Sequence, residues 1–348
     1  AFRGLTIAGM LLVNNMALGE LTPDSLTHAD WSGGITFADL VFPWFLFIVG
    51  VAIPWSAASR RRHGLSRGRY AWKVLGRTVT LVLLGWLLDS SIARAPVTGL
   101  GVLQLIGLAY CAGALLYDLP GSARAAIAAA LLVGHWAAIR FVPVPELGAG
   151  AFTESQNLIQ HLNERYLQAY NLKGLISAVP TTALVLIGTL AGDHLRRESV
   201  PVSHRAGHLA AAGAVLVALG WLWSLDLPFN KPLWTAPYIV LSAGYGGLIL
   251  AAFYAVMDVH GWKGWALPLV VFGSNAIVAY VAPILVKLHT LQEWKWAGTD
   301  LTLQQALLQA ATTHWGPIAG GWAYTGGYIL FWWLVLLYLY RKKLFLRV

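Results

Sequence analysis

Apolar runs of about twenty residues recur from one end of this chain to the other, separated by short polar loops. A helix needs about that length to cross a hydrocarbon core roughly 30 Å thick. Backbone amides in lipid find no water, so each segment must satisfy its own hydrogen bonds, and helices do this. The period-2 alternation of a membrane barrel is absent. Charged residues make up 11% of the chain, against about 25% in soluble domains. The expected fold class is all-α, a polytopic helical membrane bundle forming a single transmembrane domain over residues 1–348.

Ten spans are expected, near 1–18, 36–57, 71–92, 99–118, 122–142, 173–194, 204–224, 233–256, 264–288 and 321–341. In segment 289–320, Leu303, Leu307, Leu308 and Ala311 follow helical spacing opposite Gln304, Gln305, Gln309 and Thr312. That pattern predicts an interfacial helix. Segment 143–172 is the longest polar insertion, with Glu146, Glu154, His161, Glu164 and Arg165. It reads as an amphipathic connector, with a lid over an outer site as the alternative.

The net charge of +9 is mostly a topology signal. With both termini in the cytosol, 17 of the 24 basic residues fall on the inner side. Among them are Arg60, Arg61, Arg62, Arg67, Arg69 and Lys73 in one loop, and Arg341, Lys342, Lys343 and Arg347 at the end. Only Asp118, Asp193, Glu198 and Asp258 oppose them there, as the positive-inside rule requires. A nucleic-acid partner is not expected. Cys111 is the sole cysteine, which excludes a disulfide or thiolate-metal site. His204 and His208 have i,i+4 spacing without a third ligand nearby, so no metal is expected. No small-residue cleavage pattern follows the first apolar run, which is expected to stay as a span.

Chemistry must therefore be sought among few polar side chains. The densest cluster is His28-Ala-Asp30-Trp31, with Asp39 opening the second span and Asn14 closing the first. Topology gathers Asn14, His28 and Asp39 at one depth on the outer face. Imidazole takes a proton at neutral pH, so His28 reads as a general base or acyl acceptor. Asp39 or Asp30 would orient its second nitrogen, and Asn14 would donate to an oxyanion. The plain alternatives are an interfacial loop histidine and a carboxylate that caps a helix. Arg77 lies one turn deeper than Lys73 and suits a phosphate, or else snorkels to head groups. Gln104 and Asn275 line a polar path or tie helices together. Asn230 and Lys231 form an outer turn suited to a polar substrate, or serve as an interfacial anchor.

The runs Arg3-Gly-Leu-Thr-Ile7, Leu12-Val-Asn14, His28-Ala-Asp-Trp31 and Ala38-Asp-Leu-Val-Phe-Pro-Trp-Phe-Leu-Phe-Ile-Val-Gly50 resemble the heparan-α-glucosaminide N-acetyltransferase family. The likeness continues through Gly101-Val-Leu-Gln104, Pro228-Phe-Asn-Lys-Pro-Leu-Trp-Thr235, Met257-Asp-Val-His-Gly261 and Gly273-Ser-Asn-Ala276. It implies a membrane acyltransferase that takes acetyl from cytosolic acetyl-CoA to the amine of a glucosamine-like sugar on the far side. The family's active-site histidine falls on His28 and its nearby asparagine on Asn14. On that reading Asp39 orients His28, and Lys73, Arg77, Gln104 and Asn275 serve acetyl-CoA. Trp31, Asn230 and Lys231 serve the amino sugar. The bilayer of a bacterial inner membrane and a homodimer are further expectations. Two positions depart from the family pattern: Leu105, where relatives often carry Arg, and Asn171-Leu-Lys-Gly174, where they often read Asp-Pro-Glu-Gly. The rival class is a sugar transporter or permease, but the repeats such folds often show are absent.

Overall fold

The computed structural model describes residues 1–31 and 34–346; Ser32, Gly33, Arg347 and Val348 are not among the described residues. Among the described residues the chain is helical nearly throughout, with one short hairpin pairing Pro143–Val144 and Gly148–Ala149, followed by the short helix α6 (Leu158–Leu162). Among the described residues, seven helices are long and apolar enough to cross a membrane. They are α2 (Phe37–Arg62), α3 (Arg67–Ala93), α5 (Gly121–Phe141), α7 (Ala178–Leu195), α8 (Val202–Trp223), α9 (Ala236–Tyr254) and α12 (Leu303–Arg341). The pair α10 (Leu267–Ser274) and α11 (Ala276–Val286) makes an eighth if counted as one span bent by 66°.

All ten expected runs are helical, but α1 (Phe2–Asn14) and α4 (Val102–Leu116) are short, at 13 and 15 residues. At 1.5 Å per residue they cover about 20 Å, less than a full hydrocarbon core. Helix α1 stops where the Asn15 side chain turns back to donate to Leu11 O at 2.8 Å. Helix α4 starts late because Gly99 O accepts from Trp86 Nε1 at 3.0 Å, which holds the 97–101 loop against α3. The expected division at residue 320 falls instead at Gly316, whose φ of 81° breaks α12 just before Pro317.

The centre of the bundle is α2 against α7, with α4 and α9 beside them. Close approach there depends on Gly50. A Cβ at that position would lie 2.2 Å from Val185 O and 3.0 Å from Gly188 Cα. Small residues at helix contacts are how membrane helices gain van der Waals packing where no hydrophobic drive exists. Outward, α3 shows Leu75, Val79, Leu83 and Leu87 at i,i+4 spacing, all exposed. A continuous apolar stripe of this kind suits lipid contact.

Helix α2 defines two ends of the molecule. At one end, Arg60 makes a two-pronged contact with Asp118 at 2.9 and 2.6 Å, with Arg61 and Arg67 3.6 Å from the same carboxylate. Arg60 holds the Asp118 carboxyl below the usual carboxylate range, against the opposing effect of burial. Arg124 is likewise paired with Asp193 and donates to Thr189 Oγ1 at 2.6 Å. The other end carries Asp39 and the His28 loop.

Candidate active site

Asp39 sits in the first turn of α2, where its carboxylate accepts from the Thr36 amide at 3.2 Å. This is helix capping, as anticipated, yet the same group also accepts from Ala29 N at 3.2 Å. Its Oδ1 lies 2.9 Å from His28 Nδ1. Of the two candidate carboxylates, Asp39 is the one in hydrogen-bond contact with the imidazole, while Asp30 is exposed. Tyr238, fully buried on α9, donates to Asp39 O at 2.6 Å and fixes where α2 begins.

Asp39 is only 2% exposed, whereas the His28 side chain is 56% exposed. A buried carboxylate facing Nδ1 favours the proton on that nitrogen, and Nε2 is then the acceptor of the ring. Lys231 completes the cluster. Its Nζ lies 3.0 Å from His28 Nδ1, 3.3 Å from Nε2 and 3.5 Å from Asp39 Oδ1. Burial pushes the Lys231 ammonium below the ordinary lysine range, with the Asp39 charge opposing that shift.

The turn that carries Lys231 is stapled to the His28 loop. Asn230, 2% exposed, donates to Trp31 O at 3.2 Å, and its Oδ1 accepts from Leu233 N at 2.9 Å. Its side chain is thus committed to positioning Lys231 and Trp31. Trp31 in turn donates from Nε1 to Phe152 O at 3.1 Å, which ties the loop to the 143–172 segment.

The structure does not bring Asn14 into hydrogen-bond contact with this cluster. It is exposed at the end of α1, and its carbonyl accepts from Lys287 Nζ at 3.2 Å.

The expected donor residues divide. Arg77 lines a cavity of about 550 Å³ near the arginine-rich end, together with Arg3, Phe45, Ser56 and Tyr110. Its guanidinium lies 4.5 Å from the Tyr110 ring centroid, and its buried Nε has no hydrogen-bond partner among the described residues. A narrow continuation shares Phe45, Val49, Arg77 and Tyr110 and reaches Val102 and Tyr280 toward the His28 end. Lys73 is exposed on α3 and does not line this cavity. Gln104, fully buried, donates to Asp89 Oδ2 at 2.8 Å, so it ties α4 to α3. Asn275, also fully buried, sits at the α10–α11 bend and pairs with the C-terminal tail. It donates to Leu344 O at 3.0 Å and accepts from Leu346 N at 2.8 Å. Phe345 and Leu346 consequently line the cavity wall. Leu105 is buried in α4 at 7% exposure.

A second cavity, of about 670 Å³, lies beside Trp31 and the Pro232–Leu233 turn. Asp89, Glu154, Asn157 and Lys173 line it, and of these the sequence marks only Lys173, through the departure at 171–174 that bears on the acceptor. Asp89 carries a signal all the same, since a carboxylate near the end of an apolar span is itself a functional hint. Part of the 143–172 segment thus forms a cavity wall, as a lid would.

The heparan-α-glucosaminide N-acetyltransferase catalytic family profile matches residues 1–225, which include His28 and Asp39. The chain belongs to that family. It is 26% identical to the Homo sapiens heparan-α-glucosaminide N-acetyltransferase and 25% identical to that of Mus musculus. All of this chain is aligned in both cases, and it spans 59% and 60% of their lengths.

Proposed function

We propose that the protein is a membrane acetyltransferase that moves acetyl from acetyl-CoA to the amine of a glucosamine-like sugar. The observation that carries this reading is the imidazole of His28 held between the Asp39 carboxylate at Nδ1 and the Lys231 Nζ, 3.3 Å from Nε2. Asp39, His28 and Lys231 provide an orienting group, a base or nucleophile, and a fixed positive charge.

Acetyl-CoA supplies a thioester, an acyl group already activated for transfer. Arg77, with an unmatched buried nitrogen in a cavity of suitable size, is the residue here best fitted to an anionic phosphate. The arginine-rich end faces the cytosol on the positive-inside argument. From Asp39 to Ser56 the α2 backbone rises about 25 Å. An extended donor arm following the narrow continuation is what would join the two ends.

At the His28 end, Nε2 has two routes. It removes the proton from the acceptor amine as the nitrogen attacks the thioester carbonyl, and that proton goes on to the departing thiolate. Alternatively Nε2 attacks first and the thiolate leaves; the amine then displaces imidazole from acetyl-His28, and the proton it loses goes to the thiolate. In both routes the carbonyl oxygen gains negative charge, and Lys231, turning from its 3.3 Å contact with Nε2, is the donor at hand to meet it. Asn14 would have to turn inward from the end of α1 to assist.

The test is vesicles loaded with glucosamine and given labelled acetyl-CoA outside. N-acetylglucosamine inside, lost in His28→Ala, is the expected result. Full transfer by His28→Ala, or passage of unmodified sugar without acetylation, overturns the reading. A labelled acetyl-enzyme trapped without acceptor selects the second route.

A further inference from the structure

After α12 the chain turns back on itself and docks on the α10–α11 break. Lys343 has a φ of 55°, and its N–H donates to Tyr340 O at 3.0 Å, while Leu344 N donates to Leu339 O at 2.9 Å. These two bonds make the common left-handed helix ending that reverses a chain. The Phe345 ring then packs edge-on against Tyr340, with centroids 6.2 Å apart. Leu344 and Leu346 are exposed, so the tail is held by its main chain and the Phe345 ring rather than by a buried apolar core. Leu344 O and Leu346 N are both taken by the Asn275 side chain, at 3.0 and 2.8 Å.

Asn275 is the fixed member of this pair. It is fully buried at the 66° bend. Helix α10 before it is set hard against α1, where a Cβ on Gly4 would lie 1.6 Å from Leu269 O. Irregular backbone at membrane depth is tolerated where it is buried in protein or lines a cavity. Ser274 and Ala276, on either side of Asn275, line the Arg77 cavity, and Phe345 and Leu346 line it too. With the tail docked that cavity still measures about 550 Å³, so the tail is a wall of it and not a plug. The continuation past Arg77 is only about 40 Å³, which leaves room for a thin chain at most.

We propose that residues 342–346 form a strap over the nucleotide of acetyl-CoA, and that Asn275 is the positioning residue that latches it. This rests on the acetyltransferase reading of the protein. The wide cavity, which holds Arg77, takes the nucleotide with its phosphates, and only the pantetheine arm goes beyond it. Asn275 thereby serves the donor without touching it. A strap fastened by two hydrogen bonds can lift and close again while the bundle stays folded, as segments with few buried apolar contacts do. Acetyl-CoA enters with the strap lifted, and the latch slows its escape.

The experiment uses the full chain and two donors, acetyl-CoA and S-acetylpantetheine, which lacks the nucleotide. Leu346→Pro removes the N–H that Asn275 accepts, at an exposed position beyond the end of α12, and Asn275→Ala removes the latch itself. Equilibrium dialysis with labelled acetyl-CoA should give a Kd about tenfold higher in both, the effect of losing a well-made hydrogen bond. In acetyl transfer to glucosamine, KM for acetyl-CoA should rise by the same factor with kcat unchanged, and KM for S-acetylpantetheine should not move. Leu346→Ala, which keeps the N–H, should shift Kd less than Leu346→Pro. An unchanged Kd in Leu346→Pro, an equal shift in Leu346→Ala, or an equal rise in KM for both donors overturns the strap and leaves the acetyltransferase reading standing. Wild type that neither binds acetyl-CoA nor transfers its acetyl overturns both.

Discussion

Replacing Asp39 with Asn tests the centre of the site, because the carboxylate serves the imidazole and two backbone amides at once. It accepts from His28 Nδ1 at 2.9 Å and from the amides of Ala29 and Thr36 at 3.2 Å each. An amide side chain has one acceptor oxygen. The two backbone donors claim that oxygen, since turning it away would set NH2 against two N–H groups. The NH2 then faces His28 Nδ1 and donates to it, which moves the imidazole proton to Nε2. The reacting nitrogen is now protonated and can neither accept a proton nor attack. A wrong tautomer of this kind lowers kcat about 10⁴-fold in a Ser-His-Asp triad. The exposed His28 ring can partly swing away, so a loss of about 10³-fold is expected here, or about 4 kcal/mol in the barrier. Stability should fall less, by about 1 kcal/mol, because the helix cap survives in neutral form. The assay is the initial rate of acetyl transfer to glucosamine at saturating acetyl-CoA, with a thermal melt and a size-exclusion profile to confirm folding. A well-folded Asp39→Asn within fivefold of wild type would refute the orienting role.

Lys231→Met should lose about 100-fold in rate at neutral pH, as removal of a charged donor to a developing oxyanion does, and the loss should shrink where the wild-type ammonium deprotonates. Because burial lowers the Lys231 pKa from the ordinary 10.5, the alkaline limb of the wild-type rate profile should fall below that value and move upward in Lys231→Arg; an unmoved limb counts against the role. Asp118→Asn should destabilise by about 2–3 kcal/mol, since it leaves the buried Arg60 without its charged partner. The folded pKa of Asp118 is depressed, so its contribution is complete above the unfolded value near 3.9 and is lost as pH falls through the folded pKa. Melts of wild type and Asp118→Asn should therefore differ at pH 7 and converge in acid. Gly50→Ala should destabilise by about 1–3 kcal/mol by forcing backbone against backbone; Gly76→Ala, which meets nothing within 4 Å, should be neutral or stabilising in the same melt.

The helical bundle was legible because lipid removes alternatives. An apolar run of about twenty residues has one common way to satisfy its amides, and periodicity adds little. What the runs did not show is where each helix stops. Helix α1 ends on the Asn15 side chain and α4 begins after a loop bound to Trp86, and these are polar contacts made after folding. The break in α12 was written locally, as Gly316-Pro317, but the amphipathic pattern of the preceding turns drew the expected boundary onward to 320.

Legibility at the site followed sequence distance. His28 and Asp39 are eleven residues apart on one connection, so their meeting is nearly a local matter. Lys231 comes from 203 residues away, and charge alone suggested a substrate contact rather than a place beside the imidazole. Gln104 and Asn275 show an ambiguity of another kind. An amide inside an apolar span signals that something polar must meet it, but not whether the partner is a ligand or the chain itself. Asp89 and the Leu344–Leu346 tail turn out to be those partners. The Trp31 cavity is the extreme case, assembled from four separated connections. Only their juxtaposition shows that Lys173, which by position is a loop cation, borders the same cavity as Asp89 and Glu154.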